Sequence, residues 1–178
     1  TQAVDVHTTP LASIPEFDQY KTVVVFMSNL DALGKRLIDL MNWVQDGGSV
    51  LFAMTPQKTT YFDVISPKLG VLSSSWENKL AESIVPTEEF MLGGGQRYEL
   101  SDPFESSLSI SLREEATIYA STGDEGVPLV WSTKSGAGRV VVDNIGIYDK
   151  VMRGVYAASY SLLCDATAYP VINSAVFY

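Results

Sequence analysis

Val23–Met54 (VVVFMSNLDALGKRLIDLMNWVQDGGSVLFAM) is the stretch of sequence that decides the fold. It opens with Val23–Met27, a short, apolar and β-branched run that is typical of a strand buried on both faces. Good N-cap residues follow in Ser28–Asp31, and apolar residues then repeat at spacings of three and four. Gly47–Gly48 ends this helix, and Val50–Met54 supplies a second buried strand. Strand, helix and strand in this order predict a right-handed βαβ unit.

Outward from this unit the pattern is less regular. Thr60–Leu69 predicts a short helix interrupted by a proline, and residues 73–110 predict an insertion or an irregular edge of the sheet. Val151–Cys164 predicts a helix, and Val171–Tyr178 alternates like a strand. Three apolar runs separated by glycine-rich turns predict antiparallel hairpins: Ala116–Ala120, Leu129–Ser132 and Arg139–Asp143.

Together these elements predict an α/β fold in a single domain. The βαβ unit indicates a flavodoxin-like three-layer sandwich with a mostly parallel sheet, and the hairpins indicate an antiparallel C-terminal extension of that sheet. No internal repeat or low-complexity linker divides the 178 residues.

Composition excludes several classes of partner and site. Twenty-one acidic and 12 basic residues leave a net charge of -9, which disfavours nucleic acid and acidic membrane surfaces as partners. No apolar run approaches the ~18–20 residues of a membrane span, so no membrane insertion is expected. Cys164 is the one cysteine, which excludes an intrachain disulfide. His7 is the one histidine, so a catalytic triad would have a single candidate base. We therefore predict no metal site and no cofactor.

Paired carboxylates are the remaining route to catalysis. Asp102 with Glu105, or Glu88 with Glu89, would serve as acid and base of a glycosidase only if they faced each other across a cleft about 5–10 Å wide. The sequence favours a different interpretation of both pairs. Ser101–Glu105 is typical of a turn or a helix start, and Glu88–Glu89 is typical of a solvated charge pair.

A ligand of such a fold is expected in the crevice at the carboxyl ends of the parallel strands. Polar residues follow the two strands of the βαβ unit and close the last hairpin strand, and their hydroxyl, amide and carboxylate groups suit sugar hydroxyls. The same residue types are what helix caps and turns require. The predicted ligand-binding residues are Ser28, Asn29, Asp31, Thr55, Gln57, Asp143 and Asn144.

Two segments resemble the class I glutamine amidotransferase-like superfamily. Tyr20–Pro56 is similar to the middle of such a domain, and Val127–Ile147 (VPLVWSTKSGAGRVVVDNIGI) is similar to the closing hairpin of its trehalose-utilisation-like branch. The resemblance places Met54 where the nucleophilic cysteine would stand and Ile147 where the histidine would stand. A thioether forms no thiolate and isoleucine holds no proton, so the resemblance implies the fold without the catalysis. We therefore predict no catalytic residue.

A narrower resemblance involves Tyr61–Gly70, Ser101–Leu108 and Val140–Tyr178. These segments are similar to an uncharacterised bacterial family of large envelope-associated proteins, in which an amidotransferase-like domain precedes a polysaccharide-deacetylase-like domain. This resemblance implies that residues 1–168 form the amidotransferase-like domain without its first strand and helix. Residues 169–178 would begin the junction to the following domain.

The resemblance also implies a function. We expect a non-catalytic accessory domain of a polysaccharide-modifying protein, located in the cell envelope or outside the cell. Its partners would be a polysaccharide or oligosaccharide, or the adjoining deacetylase-like domain. Two alternatives stay open: a carbohydrate hydrolase that uses a carboxylate pair or a displaced Cys164, and a structural spacer between domains.

Overall fold

The computed structural model describes residues 5–8, 16–26, 34–53, 60–88, 90, 95–145 and 173–177. The α-helices among these residues are α1 (Lys35–Gln45) and α2 (Thr60–Ile65), and short 3-10 turns lie at Phe17–Gln19 and Ser66–Leu69. The strands are β1 (Asp5–Thr8), β2 (Thr22–Phe26), β3 (Ser49–Ala53), β4 (Val71–Pro86), β5 (Tyr98–Leu112), β6 (Thr117–Thr122), β7 (Pro128–Ser135), β8 (Gly138–Asp143) and β9 (Asn173–Phe177).

The described strands form one mixed sheet in the order β1-β9-β2-β3-β8-β7-β6-β4-β5. The first five are parallel to one another and are called the parallel half below. Strands β7, β6, β4 and β5 continue the sheet in antiparallel pairings and are called the antiparallel half. The predicted α/β class with an antiparallel extension is therefore confirmed. The extension is built by residues 71–135, which precede β8, and not by the C-terminal end of the chain.

Both faces of the sheet are covered at β2, β3 and β8. Val23, Phe52 and Val140 pack with α1 and α2 in one core on the first face. Val24, Leu51 and Val141 alternate with residues of that core, and none of the three has any exposed surface. Parallel sheets need cover on both faces, which explains their continuous apolar strands. A flavodoxin-like arrangement of three layers stays a prediction, because the helix predicted at Val151–Cys164 lies outside the described residues.

Helix α1 ends where the sequence predicts but begins later. The predicted cap residues Ser28–Asp31 lie outside the described residues, and Gly34, with φ 51°, is the residue that precedes the helix. Gly34 makes no side-chain cap, and its positive φ is a conformation that glycine adopts at little cost. At the other end the chain leaves the helix through Asp46 and then Gly47, with φ 122°. The apolar stripe is confirmed, because the buried residues of α1 are Leu37, Leu40, Met41 and Val44.

Strands β4 and β5 form a long hairpin at one edge of the sheet, so of the two predictions for residues 73–110 the irregular edge is confirmed and the insertion is not. Their antiparallel register runs from Val71 opposite Leu112 to Ile84 opposite Tyr98, with three register shifts between. Ser101–Glu105, predicted as a turn or helix start, lies inside β5. Because β5 is the outermost strand of this half, one of its sides has no strand partner among the described residues, and an edge strand tolerates Pro103 and many polar residues.

Strand β9 lies inside the sheet, parallel to the two strands that flank it. Asn173 is opposite Asp5 of β1, and Ser174 is opposite Thr22 of β2. The strand predicted over Val171–Tyr178 is thereby confirmed for its described residues. Strand β1 was not predicted. The domain boundary after residue 168 stays a prediction, and the five residues of β9 belong to the same sheet as the rest of the described chain.

Two clusters hold many of the buried apolar residues that the structure describes. The first core joins α1 and α2 to the parallel half and includes Trp131, whose Nε1 donates to the Leu69 carbonyl at 2.8 Å. The second core lies mainly under the antiparallel half and consists of Ile84, Phe90, Tyr119, Ala120, Leu129, Val130 and Ile145.

Candidate functional site

The carboxyl edge is the end of the parallel half where β3 and β8 finish side by side, with Ala53 opposite Asp143. Asp143 and Asn144 are both there, as predicted, and both are buried, with 0% and 1% of their surface exposed. The other predicted ligand-binding residues lie outside the described residues, so their proximity to Asp143 stays a prediction; they are Ser28, Asn29, Asp31, Thr55 and Gln57.

Asp143 shapes the chain where β8 ends. Its Oδ1 accepts a hydrogen bond from the backbone N–H of Ile145 at 3.1 Å, and the N–H of Asn144 donates to the Leu129 carbonyl at 2.8 Å. A hydrogen bond from the backbone N–H two residues ahead to an aspartate side chain forms an Asx turn, which is a common local structure. The turn holds Asn144 against Leu129, near the start of β7.

Asn144 carries the polar group of this edge that has capacity for a ligand. Its Nδ2 is buried and has no hydrogen-bond acceptor among the described residues. A buried donor without an acceptor costs about 1–3 kcal/mol. An acceptor brought by a ligand or by a neighbouring part of the protein would remove that cost.

Both candidate carboxylate pairs stay a hypothesis, because Glu89 and the side chains of Asp102 and Glu105 lie outside what the structure describes. Glu88 is exposed in the turn after β4, and Asp102 and Glu105 lie within β5, whereas Glu89, Met54, Ile147 and Cys164 lie outside the described residues. His7 lies in β1, two residues after Asp5. No group of three or more His, Cys, Asp or Glu side chains that could hold a metal ion occurs among the described residues.

A second concave site, missed by sequence reasoning, lies at the opposite end of the parallel strands. We call it the amino-edge groove. It has a volume of about 620 Å³, and its polar and charged lining includes Ser49, Glu115, Thr117, Tyr119, Ser132, Thr133, Lys134 and Arg139. The sequence did hold a signal, because Lys134 and Arg139 stand immediately on either side of the Ser135–Gly138 turn. A tight hairpin places two such residues opposite each other.

The hairpin turn that carries the groove is anchored on the end of α1. The N–H of Ala137 donates to the Gln45 carbonyl at 2.9 Å, and that of Arg139 donates to the Gly48 carbonyl at 3.2 Å. A Cβ on Gly138 would collide with the carbonyl oxygens of Val44 and Gly48. This close approach explains why the turn contains glycine, and it fixes one wall of the groove.

A short hydrogen-bond chain orders the groove's arginine. Nη2 of Arg139 donates to the Tyr119 hydroxyl at 3.3 Å, and that hydroxyl lies 3.2 Å from Oγ of Ser132. Tyr119 and Ser132 are 9% and 6% exposed, so they form a rigid support for the half-buried guanidinium. Arg139 donates to the tyrosine hydroxyl, and that hydroxyl shares a further hydrogen bond with the serine hydroxyl.

A third polar cluster, at Arg97, has a structural role. Arg97 pairs with Glu99 and Asp124, each at 2.8 Å, and donates to the Gly123 carbonyl at 3.3 Å. The hydrogen bonds to Asp124 and then Glu99 raise the pKa of Arg97 above its usual value. These contacts tie the start of β5 to the turn between β6 and β7.

Among the described residues, no helix has the length and apolar character needed to cross a bilayer.

Solved structures share this fold at low sequence identity. A cytoplasmic protein from Salmonella typhimurium superposes with a TM-score of 0.59 and 12% identity, over 86% of this chain and 77% of that one. An exo-β-1,4-mannosidase from Opitutaceae bacterium strain TAV5 gives 0.51 and 20%, over 84% of this chain and 26% of the enzyme. A β-galactosidase from Bacillus circulans sp. alkalophilus gives 0.51 and 15%, over 83% and 23%. The chain thus spans about a quarter of each glycosidase.

Sequence comparison identifies the family. No curated protein matches the sequence. A family model described as an uncharacterised protein conserved in bacteria (DUF2194) matches residues 1–120 and 96–178. Because these two matches together cover the whole chain, the chain belongs to the DUF2194 family.

Proposed function

We propose that this chain is a non-catalytic accessory domain of a carbohydrate-active protein. It would bind a glycan at the carboxyl edge or pack on an adjoining polysaccharide-deacetylase-like domain, in the cell envelope or outside the cell. The observation that carries this proposal is the match between most of this chain and about a quarter of two glycosidases. In each enzyme the matching part is a minor share of a longer polypeptide, as an accessory domain would be.

The resemblance to amidotransferase-like domains supports the same proposal. Its two segments correspond to β2, α1 and β3 and to the hairpin of β7 and β8, which lie next to each other in the sheet through the β3–β8 pairing. A flavodoxin-like, three-layer version of this fold without the nucleophile and the histidine would retain the crevice and lose the chemistry. Met54 and Ile147 are the residues on which that loss depends.

The carboxyl edge offers the chemistry that a sugar requires. The buried Nδ2 of Asn144 has no acceptor among the described residues, and a sugar hydroxyl or acetamido oxygen is an acceptor that would satisfy it. The predicted neighbours Ser28, Asn29, Asp31, Thr55 and Gln57 would supply further hydroxyl, amide and carboxylate partners. A few convergent polar groups of this kind fix the orientation of small ligands in concave sites.

The test is an NMR titration of the isotope-labelled chain with acetylated and deacetylated amino-sugar oligomers. The side-chain amide signal of Asn144 reports directly on the carboxyl edge, and we expect it to shift together with the signals of Ser28–Asp31. Replacing Asn29 and Asp31 by alanine should weaken binding about tenfold, the loss of roughly 1.4 kcal/mol of hydrogen bonding. Asn42→Ala, on the exposed side of α1, is the matched control and should leave the affinity unchanged.

Each other outcome assigns a different role. Unchanged affinity in the double variant would remove this site. If no oligomer shifts any signal of a folded sample, the chain would be a scaffold that packs between domains. Turnover of the oligomers would instead support the carbohydrate hydrolase with a carboxylate pair.

A further inference from the structure

The amino-edge groove holds two positive charges that face each other. Lys134 of β7 is directly opposite Arg139 of β8, so both side chains belong to the same face of the sheet. Like charges in this arrangement destabilise a strand pair. Within the described part of the chain, neither side chain forms an ion pair. The repulsion therefore has no counter-charge in direct contact.

The one acid in the groove lining does not cancel this charge. Glu115 lies at the groove, but its carboxylate is 3.9 Å from Nη1 of Arg113 and is 63% exposed. The lining thus contains two cations and one acid, and that acid already forms an ion pair with an arginine outside the lining. This local excess of positive charge occurs in a protein whose net charge is -9.

The guanidinium of Arg139 is positioned in advance of any ligand. Nη2 is held by the Tyr119 hydroxyl, which in turn is held by the buried Ser132. The remaining N–H groups have no acceptor in the part of the chain that the structure describes. A guanidinium fixed in this way matches the two oxygens of a carboxylate, and fixing it beforehand reduces the entropy lost on binding.

Hydroxyl groups surround the two cations. Ser49 of β3 is opposite Arg139, and Thr117 of β6 is opposite Ser132, so these positions continue the polar lining across neighbouring strands. The volume of about 620 Å³ falls within the ~300–1,000 Å³ of small-molecule sites. Hydroxyls beside a carboxylate-binding pair suit a ligand that carries both kinds of group.

We propose that the amino-edge groove binds the carboxylate of an acidic sugar, with Arg139 and Lys134 as its partners. The groove lies at the opposite end of the parallel strands from Asn144, so it is a second site beyond the carboxyl edge. The choice of a sugar as the carrier of the carboxylate rests on the proposed function, whereas the argument for an anion site does not.

The test is a calorimetric titration of the chain with a galacturonic acid tetramer and with the same tetramer fully methyl-esterified. Esterification removes the charge and keeps the sugar, so we expect the acid to bind and the ester to bind at least tenfold more weakly. Lys134→Gln should weaken binding of the acid about tenfold, the value of one charge-assisted hydrogen bond. Arg139→Lys keeps the charge but loses the planar fork and should weaken binding by a similar factor.

Controls separate this proposal from charge in general and from the carboxyl edge. Lys35→Gln removes an exposed lysine at the other end of α1 and should leave binding unchanged. Added salt should weaken binding of the acid and not of neutral sugars. Equal binding of acid and ester, or wild-type affinity in both groove variants, would overturn the site. If acetate bound as tightly as the tetramer, the groove would be an anion site and the sugar would be the wrong ligand.

Failure here is distinguishable from failure of the proposed function. Neutral amino-sugar oligomers that shift the Asn144 amide, with no response to the tetramer, would overturn the groove and keep the carboxyl edge. Tetramer binding that depends on Lys134 and Arg139, with no response at Asn144, would support the groove and remove the carboxyl edge.

Discussion

The strands of the parallel half and those of the antiparallel half are stabilised by different interactions. In β3 the four residues from Val50 to Ala53 are all buried, and in β8 all but Arg139 are buried. In β4 Leu72 is 70% exposed, although it is apolar and close to the buried Val71. Burial on two faces stabilises the parallel half, whereas pairing with neighbouring strands stabilises the outer strands of the antiparallel half. A strand of the first kind leaves an apolar signature in sequence, and one of the second kind need not.

The largest effect should distinguish the two cores. Phe52 in the first core and Phe90 in the second are 0% and 2% exposed. We expect Phe52→Ala to lower the free energy of unfolding by about 4–5 kcal/mol and Phe90→Ala by about 3 kcal/mol. The difference arises because Phe52 belongs to the interior strand β3 and to the larger core shared with α1 and α2, whereas Phe90 follows β4, next to the edge of the sheet. Urea denaturation of both variants, at constant m-value, gives the comparison.

A larger loss at Phe90 would contradict this ranking and would make the antiparallel half the main source of stability. The ring of Phe90 also lies 5.8 Å from that of Tyr119, centroid to centroid. Phe90→Ala should therefore also loosen the support of Arg139, which the tetramer titration would detect.

An intermediate effect should follow from a change at the join between the halves. Gly138 begins β8, the strand that pairs in parallel with β3 and antiparallel with β7. The methyl group of Gly138→Ala would press on the backbone of Val44 and Gly48, so we expect a loss of about 2–3 kcal/mol. Thermal and urea unfolding measure it.

The neighbouring residue provides the matched control. Ala137 is exposed in the same turn, and Ala137→Ser adds an atom without burying it. We expect its stability to stay close to that of the wild type. If both variants unfolded alike, the turn would be mobile enough to move away from α1, and the proposed rigidity of the groove would be lost.

The smallest effect should come from the exposed ion pairs of the antiparallel half. Arg97→Gln breaks contacts with Glu99 and Asp124 that are open to solvent. We expect a slight loss of stability that disappears in high salt, because screening weakens exposed pairs in the wild type too. Hydrogen exchange should show the change at the turn between β6 and β7. Arg113 forms a longer ion pair, 3.9 Å from Glu115, so Arg113→Gln is the comparison and should lose less stability.

The sequence predicted the parts of the fold that burial dictates. The βαβ unit, the glycine end of α1 and the strands from Ala116 to Asp143 are confirmed, because apolar period and turn residues determine them locally. The β4–β5 hairpin was missed because serines and charged residues fill it and its three register shifts erase any simple alternation. Strand β1 was missed because four residues are too few for a period to show.

The candidate sites divide in the same way. The sequence predicted that Asp143 and Asn144 lie at the carboxyl edge, because they follow a strand and parallel strands bring their carboxyl ends to one edge. The groove was missed because its support is non-local. Tyr119, Ser132 and Arg139 come from three strands, and only the sheet order brings the hydroxyls of the first two to the guanidinium. A hairpin with a cation on each side of its turn is a signal that deserves testing in other sequences.

The interior position of β9 has a consequence for how the chain is made. During synthesis β1 and β2 emerge before the other described strands, and β9, which joins them, emerges after all of these. Until then β1 has no described strand to pair with, and one side of β2 remains open. Pairings between such distant residues are slow to form, because a long loop must close first. A nascent chain would therefore leave the position between β1 and β2 open, and β9 must fill it before another extended peptide does.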